Sequence, residues 1–393
     1  MNNIKRASKK LASLLLCAAI ILAAVPYAAA ADDKSALPFD VGSNIVLLIE
    51  PESGAVIFAQ NENRQVPIAS VTKIMTLLLI FEAAGSGGIS MDDAVTVSKT
   101  AAATEGSSAF IDAGAQYMVS ELVKTIVIAS ANDSAVAMAE HIAGSEAAFV
   151  GMMNKKAAEL NMGDTVFKTC TGLPASGQYS TASDVAIMAR ALTECQEYSE
   201  NKAFTTWMDT LVHPSGRVTD LTNTNRLVRF FSGTDGLKTG YSSEAKHCIV
   251  ASAARDGTRF LTVLLGFDTS KARFDIAQKL LGYGFNSYEK ITVVKAGDIV
   301  KESVPVRGAS VKTTNLIAQA DISILVKKSD SNAYSVQENI PELITAPVNS
   351  EQPVGGITVT LADGTTLYSP VVIDADEIGS GFFPLITRIL SLW

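Results

Sequence analysis

Cysteine is scarce in this chain, with four residues in a total of 393. One of them, Cys17, lies in an apolar segment near the N-terminus, which leaves an odd number in the rest of the chain. At least one thiol is therefore unpaired, and so sparse a set excludes a disulfide framework. We expect the other three to be core residues: Cys170, Cys195 and Cys248. The fold is predicted to be stabilised by packing.

Histidine is rarer still, with three residues in the whole chain. None of them has a metal-site spacing such as His-Glu-x-x-His, and a histidine-based catalytic triad is not indicated. His141 is predicted on the surface of a helix, His213 in a loop before Pro214, and His247 in a strand. No histidine-based metal site is therefore predicted.

Basic residues are outnumbered by acidic ones, 32 to 40, and the formal net charge is -8. Four basic residues precede the apolar run Leu11–Val25, and small residues follow at Tyr27–Ala31. This pattern predicts a secretory signal peptide over residues 1–30. An uncleaved N-terminal anchor is the alternative, although the run is short for a membrane span.

Removing the four positive charges of the leader changes the formal net charge from -8 to about -12. An acidic protein is a poor ligand for nucleic acid, because phosphate contacts need clustered Lys and Arg. We therefore expect no nucleic-acid partner.

Two hairpins are predicted far apart in the chain, one from Ile45–Glu50 and Ala55–Gln60, the other from Lys246–Ala254 and Arg259–Gly266. Helical patterns lie between and after them, beginning near Ser70 and covering Val119–Ala129 (capped by Ser120), Asp133–Ala143, Phe149–Leu160, Ser183–Leu192 and Ala272–Tyr283. Strands at both ends of a helical region predict an α/β domain over residues 31–287, with an antiparallel sheet flanked by helices.

The chain changes character at residue 288, where short β-branched runs broken by turn residues predict a small all-β domain over residues 288–376. From Gly379 to Trp393 the apolar residues share one helical face, and Arg388 is the only charge. Residues 377–393 are therefore predicted to form an amphipathic helix in a membrane interface, with packing on the β domain as the alternative.

The most informative stretch is Pro67–Ile80, an apolar run in which Lys73 is the only charged residue. On a helix, Ser70 and Lys73 share one face, a turn apart. Desolvation lowers the pKa of a lysine and makes it a better base, so the pair is arranged like an activated nucleophile. The spacing alone is weak evidence, since Ser-x-x-Lys recurs elsewhere in the chain. A capped helix with a solvent-facing lysine is the alternative.

Two further motifs supply partners for this pair. Ser130-Ala131-Asn132 lies at a predicted helix break, where a hydroxyl and an amide can project into a cleft. Lys238-Thr239-Gly240 is predicted to begin a strand, where the cation and hydroxyl suit a carboxylate and the glycine lets a substrate backbone approach. The order Ser-x-x-Lys, Ser-x-Asn, Lys-Thr-Gly is that of penicillin-binding proteins and class A β-lactamases.

The chain resembles the low-molecular-mass penicillin-binding proteins, specifically the serine D-alanyl-D-alanine carboxypeptidases. Besides the three motifs, the resemblance includes Thr171–Pro174, Tyr179–Ala182, Asn223–Asn225 and Asp235–Tyr241. It implies a β-lactamase/transpeptidase-like domain, a β-rich second domain and an amphipathic anchor. It also implies an exported protein at the outer face of the cytoplasmic membrane. Its substrate would be a peptidoglycan stem peptide ending in D-Ala-D-Ala, and β-lactam antibiotics would be covalent inhibitors. No metal ion or cofactor would be needed.

The resemblance implies a role for each motif residue. Ser70 would be the nucleophile that forms an acyl-ester, Lys73 the base that takes its proton, and Ser130 the relay of a proton to the departing D-alanine. The other motif residues would bind substrate: Asn132 its backbone amide, Lys238 and Thr239 its terminal carboxylate, Gly240 its backbone, and Tyr241 the oxyanion, through its N–H together with that of Ser70.

Two arginines are less well determined by the sequence. Arg273, in the predicted helix after the second hairpin, is implied by its family position to support the carboxylate site, and a surface arginine is the alternative. The family often places another arginine near Asn223–Asn225, but Arg226 is too loose a match to be assigned.

Three alternative functions remain open. A serine β-lactamase would need a deacylating glutamate in the motif Glu-x-x-Leu-Asn. The most similar segment, Glu159-Leu160-Asn161, lacks the two residues between the glutamate and the leucine. An endopeptidase that cuts peptidoglycan cross-links would use the same nucleophile and carboxylate pocket. A non-catalytic cell-wall-binding protein is disfavoured because every motif residue is intact.

Overall fold

The computed structural model describes residues 37–330, 333–375, 377–379 and Ile386. The predicted leader lies outside the described residues, as does the predicted tail helix apart from residues 377–379 and Ile386. Within these ranges, no helix has both the length and the apolar character needed to cross a membrane.

Five strands form an antiparallel sheet in the order β2-β1-β9-β8-β7. They are β1 (Ile45–Glu50), β2 (Ala55–Gln60), β7 (Thr234–Ser242), β8 (Lys246–Arg255) and β9 (Thr258–Phe267). Two small antiparallel pairs lie between them in the chain: β3 (Ala94–Thr96) with β4 (Gln116–Met118), and β5 (Met208–Val212) with β6 (Val218–Thr222). The predicted strands β1 and β2 are confirmed residue for residue. The first strand pairs with the last, which places Ile45 opposite Leu265.

Nine α-helical segments accompany this sheet in the described residues. They are α1 (Lys73–Gly85), α2 (Lys99–Ala102), α3 (Val119–Ile128), α4 (Asn132–Ala143), α5 (Glu146–Glu159), α6 (Ala182–Glu194), α7 (Gln196–Glu200), α8 (Leu227–Phe230) and α9 (Ser270–Ser287). Two 3-10 turns, Ala69–Thr72 and Lys202–Phe204, complete the set. The predicted helices are confirmed in place, with ends that differ by a few residues.

Both faces of the sheet are covered, because every residue of β1 is buried. Alternate residues point to opposite faces of a strand. Leu47 and Ile49 accordingly pack with the residues of α1 and α4 in one core cluster. Val46 and Leu48 pack with the residues of α9 in another. The continuous apolar run of β1 is thus explained by burial on two sides rather than one.

The C-terminal part is all β, as predicted, and its largest sheet has six strands in the order β14-β17-β18-β12-β11-β15. Its strands are β10 (Tyr288–Val294), β11 (Ile299–Arg307), β12 (Thr313–Ala318), β13 (Ile322–Lys327), β14 (Tyr334–Asn339), β15 (Ile344–Thr345), β16 (Val348–Asn349), β17 (Gly355–Leu361), β18 (Thr366–Ile373) and β19 (Glu377–Ile378). A separate hydrophobic cluster, including Leu316, Val359 and Val371, forms its core. The predicted fold class is confirmed in its α/β sheet and its all-β part.

Some local predictions are wrong in detail. Ser120 does not cap α3, because the helix begins one residue earlier and the Glu121 carboxylate accepts the Met118 N–H at 3.0 Å. His213 lies in the loop after β5, as predicted, but it is buried, with Nδ1 2.7 Å from the Tyr117 hydroxyl oxygen. The three cysteines of the described chain are free thiols; Cys170 and Cys248 are buried, and Cys195 is partly buried.

Candidate active site

The serine of the first motif lies in the 3-10 turn Ala69–Thr72, which leads directly into α1 at Lys73. Residues three apart in a 3-10 turn are eclipsed, so Ser70 and Lys73 still share a face. Ala69 has a left-handed φ of 46°, which is uncommon for a residue other than glycine. A side chain at Gly172 would place its Cβ 2.0 Å from the Ala69 carbonyl oxygen. A glycine at position 172 is therefore needed to let that loop pack against the turn.

Lys73 is fully buried, as predicted, so the solvent-facing alternative is wrong. Its Nζ lies 3.2 Å from Ser70 Oγ, 2.5 Å from Asn132 Oδ1 and 2.8 Å from the Thr171 carbonyl oxygen. Burial lowers the pKa of Lys73 to about 7, although the nearby Cys170 and Asp133 oppose that change. The amine is therefore divided between its neutral and charged forms near neutral pH, and its neutral form is a base in contact with a hydroxyl.

The second motif lies at the break between α3 and α4, as predicted. Ser130 has a left-handed φ of 61°. Its Oγ is buried and has no hydrogen-bond partner among the described residues. Asn132 is the first residue of α4, and its Nδ2 donates to the Glu105 carbonyl oxygen at 2.6 Å. Both ends of the Asn132 amide are thus engaged, one by Lys73 and the other by Glu105.

The third motif lies in the interior of the edge strand β7, so the prediction that it begins a strand is wrong. Lys238 is buried, and burial, together with repulsion from Lys73 and Arg273, lowers its pKa well below the ordinary value. At Gly240 an added Cβ would lie 2.8 Å from the Ile68 carbonyl oxygen and 3.2 Å from the Ser70 nitrogen. The absent side chain lets β7 pack directly against the nucleophile turn.

Tyr241 follows the glycine and is 64% exposed. Its ring lies against the imidazole of His247 on β8, with centroids 4.5 Å apart. His247 is a strand residue, as predicted. The exposed Tyr241 side chain therefore lies near the C-terminal end of β7, beside the cleft.

Arg273 is buried, so the alternative of a surface arginine is wrong. One terminal guanidinium nitrogen donates to the carbonyl oxygens of Gly240 at 2.9 Å and Cys248 at 2.8 Å. Burial and the nearby Arg226 lower the pKa of Arg273 to about 10, although Cys248 opposes that change. Arg273 thus links the backbones of β7 and β8 through hydrogen bonds and brings positive charge to the cleft.

These elements surround a cavity of about 760 Å³. Six of the predicted site residues line it: Ser70, Ser130, Thr239, Gly240, Tyr241 and Arg273. The other three, Lys73, Asn132 and Lys238, do not line the cavity but are linked to residues that do. Lys73 contacts Ser70 and Asn132, and Lys238 contacts the backbone of Thr239. The structure therefore brings the three motifs to one place.

The cavity also contains residues that the sequence did not identify. Arg226, left unassigned above, lines it together with Trp207 and Phe230. Nothing in the local sequence distinguishes these aromatic residues from core residues, so only their position in the fold reveals them. By contrast, Glu159 does not line the cavity; its carboxylate pairs with Lys156 at 2.8 Å at the end of α5.

Comparisons with known proteins agree with this geometry. The sequence pattern of D-alanyl-D-alanine carboxypeptidases matches residues 30–269, and that of the penicillin-binding protein 5 C-terminal domain matches residues 288–377. The D-alanyl-D-alanine carboxypeptidase DacF of Bacillus subtilis is 40% identical over 391 residues, which cover 98% of this chain and 99% of the relative. DacA of Escherichia coli is 35% identical over 399 residues, covering 96% of this chain and 94% of the relative.

Among solved structures, penicillin binding protein 5 from Haemophilus influenzae aligns with a TM-score of 0.71 at 28% identity, covering 88% of this chain and all of that one. Sequence and fold therefore lead to one family over nearly the whole length. The chain belongs to the D-alanyl-D-alanine carboxypeptidase family, peptidase S11.

Proposed function

We propose that this protein is a penicillin-sensitive serine carboxypeptidase that removes the terminal D-alanine from peptidoglycan stem pentapeptides. The observation that supports this most strongly is the contact between Ser70 Oγ and the buried Lys73 Nζ, 3.2 Å apart. A base whose pKa is about 7 is well matched to proton transfer at neutral pH. The family membership supplies the substrate class.

In the acylation step, neutral Lys73 takes the proton of Ser70 as Oγ attacks the carbonyl carbon between the two D-alanines. The backbone N–H groups of Ser70 and Tyr241 stabilise the oxyanion. This assignment is supported by the close packing at Gly240, where β7 approaches the Ser70 nitrogen. Ser130 passes a proton to the departing amine, a role suited to a buried hydroxyl that has no competing partner among the described residues.

The substrate is held at both sides of the bond that breaks. Lys238 and Thr239 bind the terminal carboxylate, with Arg273 supporting them through its bond to the Gly240 carbonyl oxygen. Removal of Lys238 from water is unfavourable for its charged form, and an entering carboxylate offsets that cost. Asn132 binds the substrate's backbone amide, oriented by its bonds to Lys73 and Glu105. Water then hydrolyses the acyl-ester and restores Ser70.

We further propose the following division of the chain. Residues 1–30 are a signal peptide, residues 31–287 the catalytic domain, residues 288–376 a β-rich domain, and residues 377–393 an amphipathic helix that binds the membrane surface. The protein then acts at the outer face of the cytoplasmic membrane. The basic, apolar and small-residue segments of the leader support export, and the apolar face of the tail supports binding to an interface.

Mass spectrometry after exposure to a penicillin tests the proposed nucleophile. We expect one covalent adduct, located on Ser70, that is absent from Ser70→Ala. Release of D-alanine from a synthetic stem pentapeptide then tests the carboxypeptidase activity. A wild-type protein that folds but forms no adduct and releases no D-alanine would contradict the proposal and favour the non-catalytic alternative.

A further inference from the structure

The residue after Asn132 carries a buried carboxylate that the mechanism above does not use. Asp133 lies in the first turn of α4 and is fully buried. Its carboxylate accepts several hydrogen bonds but has no ion pair to any residue that the structure describes. Taking a carboxylate out of water is costly, and buried ones are usually paired with a cation. The hydrogen bonds of Asp133 must therefore offset that cost.

The partners of this carboxylate outside α4 all lie in the loop between α2 and β4. Its oxygens accept from the Ser108 hydroxyl at 2.6 Å, the Ala109 N–H at 3.1 Å and the Ile111 N–H at 3.2 Å. The two N–H groups flank Phe110, whose φ of 59° is left-handed and uncommon for a residue other than glycine. The carboxylate of Asp133 therefore stabilises a loop conformation that the loop residues do not favour by themselves.

The same loop encloses Asn132. The Asn132 N–H donates to the Ser107 carbonyl oxygen at 2.7 Å, and Nδ2 donates to the Glu105 carbonyl oxygen at 2.6 Å. At Gly106, between them, an added Cβ would lie 2.7 Å from Asn132 Nδ2. The loop thus contacts the amide that is proposed to bind the substrate's backbone, and Ser107 also lines the cavity.

Asn132 connects this loop to the catalytic base. Its Oδ1 lies 2.5 Å from Lys73 Nζ, while its Nδ2 is held by the loop. Both atoms belong to one planar amide, so a movement of the loop that turns Nδ2 also moves Oδ1 away from the amine. A chain of direct contacts therefore runs from Asp133 through the loop and Asn132 to Lys73.

Asp133 also brings negative charge close to that amine. Burial lowers the pKa of Lys73 to about 7, and Cys170 and Asp133 oppose that change. Lys238, on β7, faces the same amine, and its own pKa is lowered first by burial and then by repulsion from Lys73. Asp133 acts as well on the buried His213, whose pKa burial lowers. Among the groups that act on Lys73, Asp133 is therefore the carboxylate.

We propose that Asp133 is a positioning residue for the acylation step. It holds the loop of residues 105–111 against the N-terminus of α4, so that the loop orients the Asn132 amide toward the substrate and Lys73. Its negative charge stabilises the ammonium group that forms when Lys73 takes the Ser70 proton. This inference rests on the proposed function and adds to it a residue outside the three motifs.

Asp133→Asn tests the inference, because it keeps the shape of the side chain, removes its charge and replaces one acceptor oxygen by a donor nitrogen. The measured quantities are the high-pH plateau of the second-order rate constant for penicillin acylation and the pH at half of that plateau. The plateau should fall about tenfold or more, because misplaced groups cost rate. The midpoint should move to lower pH, because the carboxylate that raises the pKa of Lys73 is gone. A purely structural role would not move the midpoint.

Two further variants separate position from charge. Gly106→Ala places a Cβ against Asn132 Nδ2 but leaves Asp133 intact, so it should lower the plateau without moving the midpoint. Ser108→Ala is milder, because it removes one hydrogen bond to the carboxylate. It should lower the plateau severalfold, again with an unchanged midpoint.

Glu140→Gln is the matched control. It removes a carboxylate from the last turn of the same helix, about 10 Å along the axis from Asp133. It should change neither the plateau nor the midpoint. Circular dichroism of each variant shows whether the fold persists.

The outcomes separate the inference from the proposed function. A folded Asp133→Asn with the wild-type plateau, or with a lower plateau and an unmoved midpoint, would overturn the inference alone. If Asp133→Asn does not fold, a wild-type plateau in Ser108→Ala would overturn it. A wild-type protein that forms no penicillin adduct on Ser70 and releases no D-alanine would overturn both.

Discussion

Lys73 is the residue whose surroundings determine the chemistry. In water a lysine with a pKa of about 10.4 is almost never neutral at pH 7 and is a poor base. Complete burial lowers that pKa to about 7, while three hydrogen-bond acceptors satisfy the amine. The sequence predicted the burial, because Lys73 is the only charge in a long apolar run. It could not predict the contact with Thr171, which comes from a loop distant in sequence.

We expect the pH dependence of penicillin acylation to follow the titration of Lys73. The amine accepts the Ser70 proton only when neutral, and its neutral form increases as pH rises toward about 7. The second-order acylation rate constant should therefore rise about tenfold per pH unit below that value and level off above it. Stopped-flow measurement between pH 5 and 9 checks this, with circular dichroism to confirm that the fold persists. A profile that is flat or falls with pH would contradict the role of Lys73.

Ser130→Ala should separate catalysis from stability. The Ser130 hydroxyl is buried without a partner among the described residues, so its removal breaks no hydrogen bond within them. The free energy of unfolding should not fall, because a buried hydroxyl without a partner carries a desolvation cost that alanine does not. The rate of D-alanine release should fall by about 10²-fold or more, because proton transfer to the departing amine is lost. Urea denaturation and a D-alanine assay measure the two quantities, and a large loss of stability would indicate a structural role instead.

Among the secondary-structure elements, the local sequence pattern predicts the strands and helices more accurately than it predicts the turn that carries the nucleophile. The apolar runs of β1 and β2 predict those strands to the residue. The residues of the turn Ala69–Thr72 look like the first turn of α1, but the loop at Gly172 and strand β7 constrain it from outside. Likewise, Arg273 fits a helix surface by sequence, and only the packing of α9 against β8 and β9 makes it buried.

Gly240→Ala should disrupt the contact between β7 and the nucleophile turn. The new Cβ would lie 2.8 Å from the Ile68 carbonyl oxygen, so the strand must move away from Ser70. An oxyanion donor that is displaced costs about 10²-fold or more in rate, and we expect a loss of that size in penicillin acylation.

Gly282→Ala is the control for that substitution. Gly282 lies inside α9, and nothing lies within 4 Å of an added Cβ. Alanine is the better helix former by about 1 kcal/mol, so this variant should acylate normally and be slightly more stable. Normal acylation by Gly240→Ala would show that β7 does not supply the oxyanion donor.

At the scale of the whole molecule, the described residues form three separate hydrophobic cores, two against the faces of the five-stranded sheet and one in the C-terminal sheets. Polar contacts join the α/β part of the chain to the C-terminal β part. They include Lys290 Nζ to Glu52 Oε2 at 2.5 Å and Lys328 Nζ to the Phe285 carbonyl oxygen at 2.9 Å. Glu52 is largely exposed, and an exposed ion pair contributes at most about 1 kcal/mol. Ion pairs therefore contribute little free energy to the association of the α/β part with the C-terminal part.

Calorimetry of the full chain should show two unfolding transitions. Acylation by a penicillin adds contacts that exist only in the folded cavity, so it should raise the Tm of one transition by several degrees and leave the other unchanged. Ser70→Ala treated in the same way should show no change. A single transition that shifts as a whole would contradict weak coupling.

The pairing of β1 with β9 also determines when the active site can form. Ile45 needs Leu265 opposite it, and β7 is joined to β1 only through β8 and β9. Contacts so distant in sequence close slowly, and the strand that carries Gly240 cannot be positioned beside Ser70 until the chain has emerged as far as Phe267. We proposed that the leader directs export. A chain that crosses the membrane before this pairing forms would carry an unreactive serine throughout synthesis and transit, and Ser70 would become a nucleophile only after export.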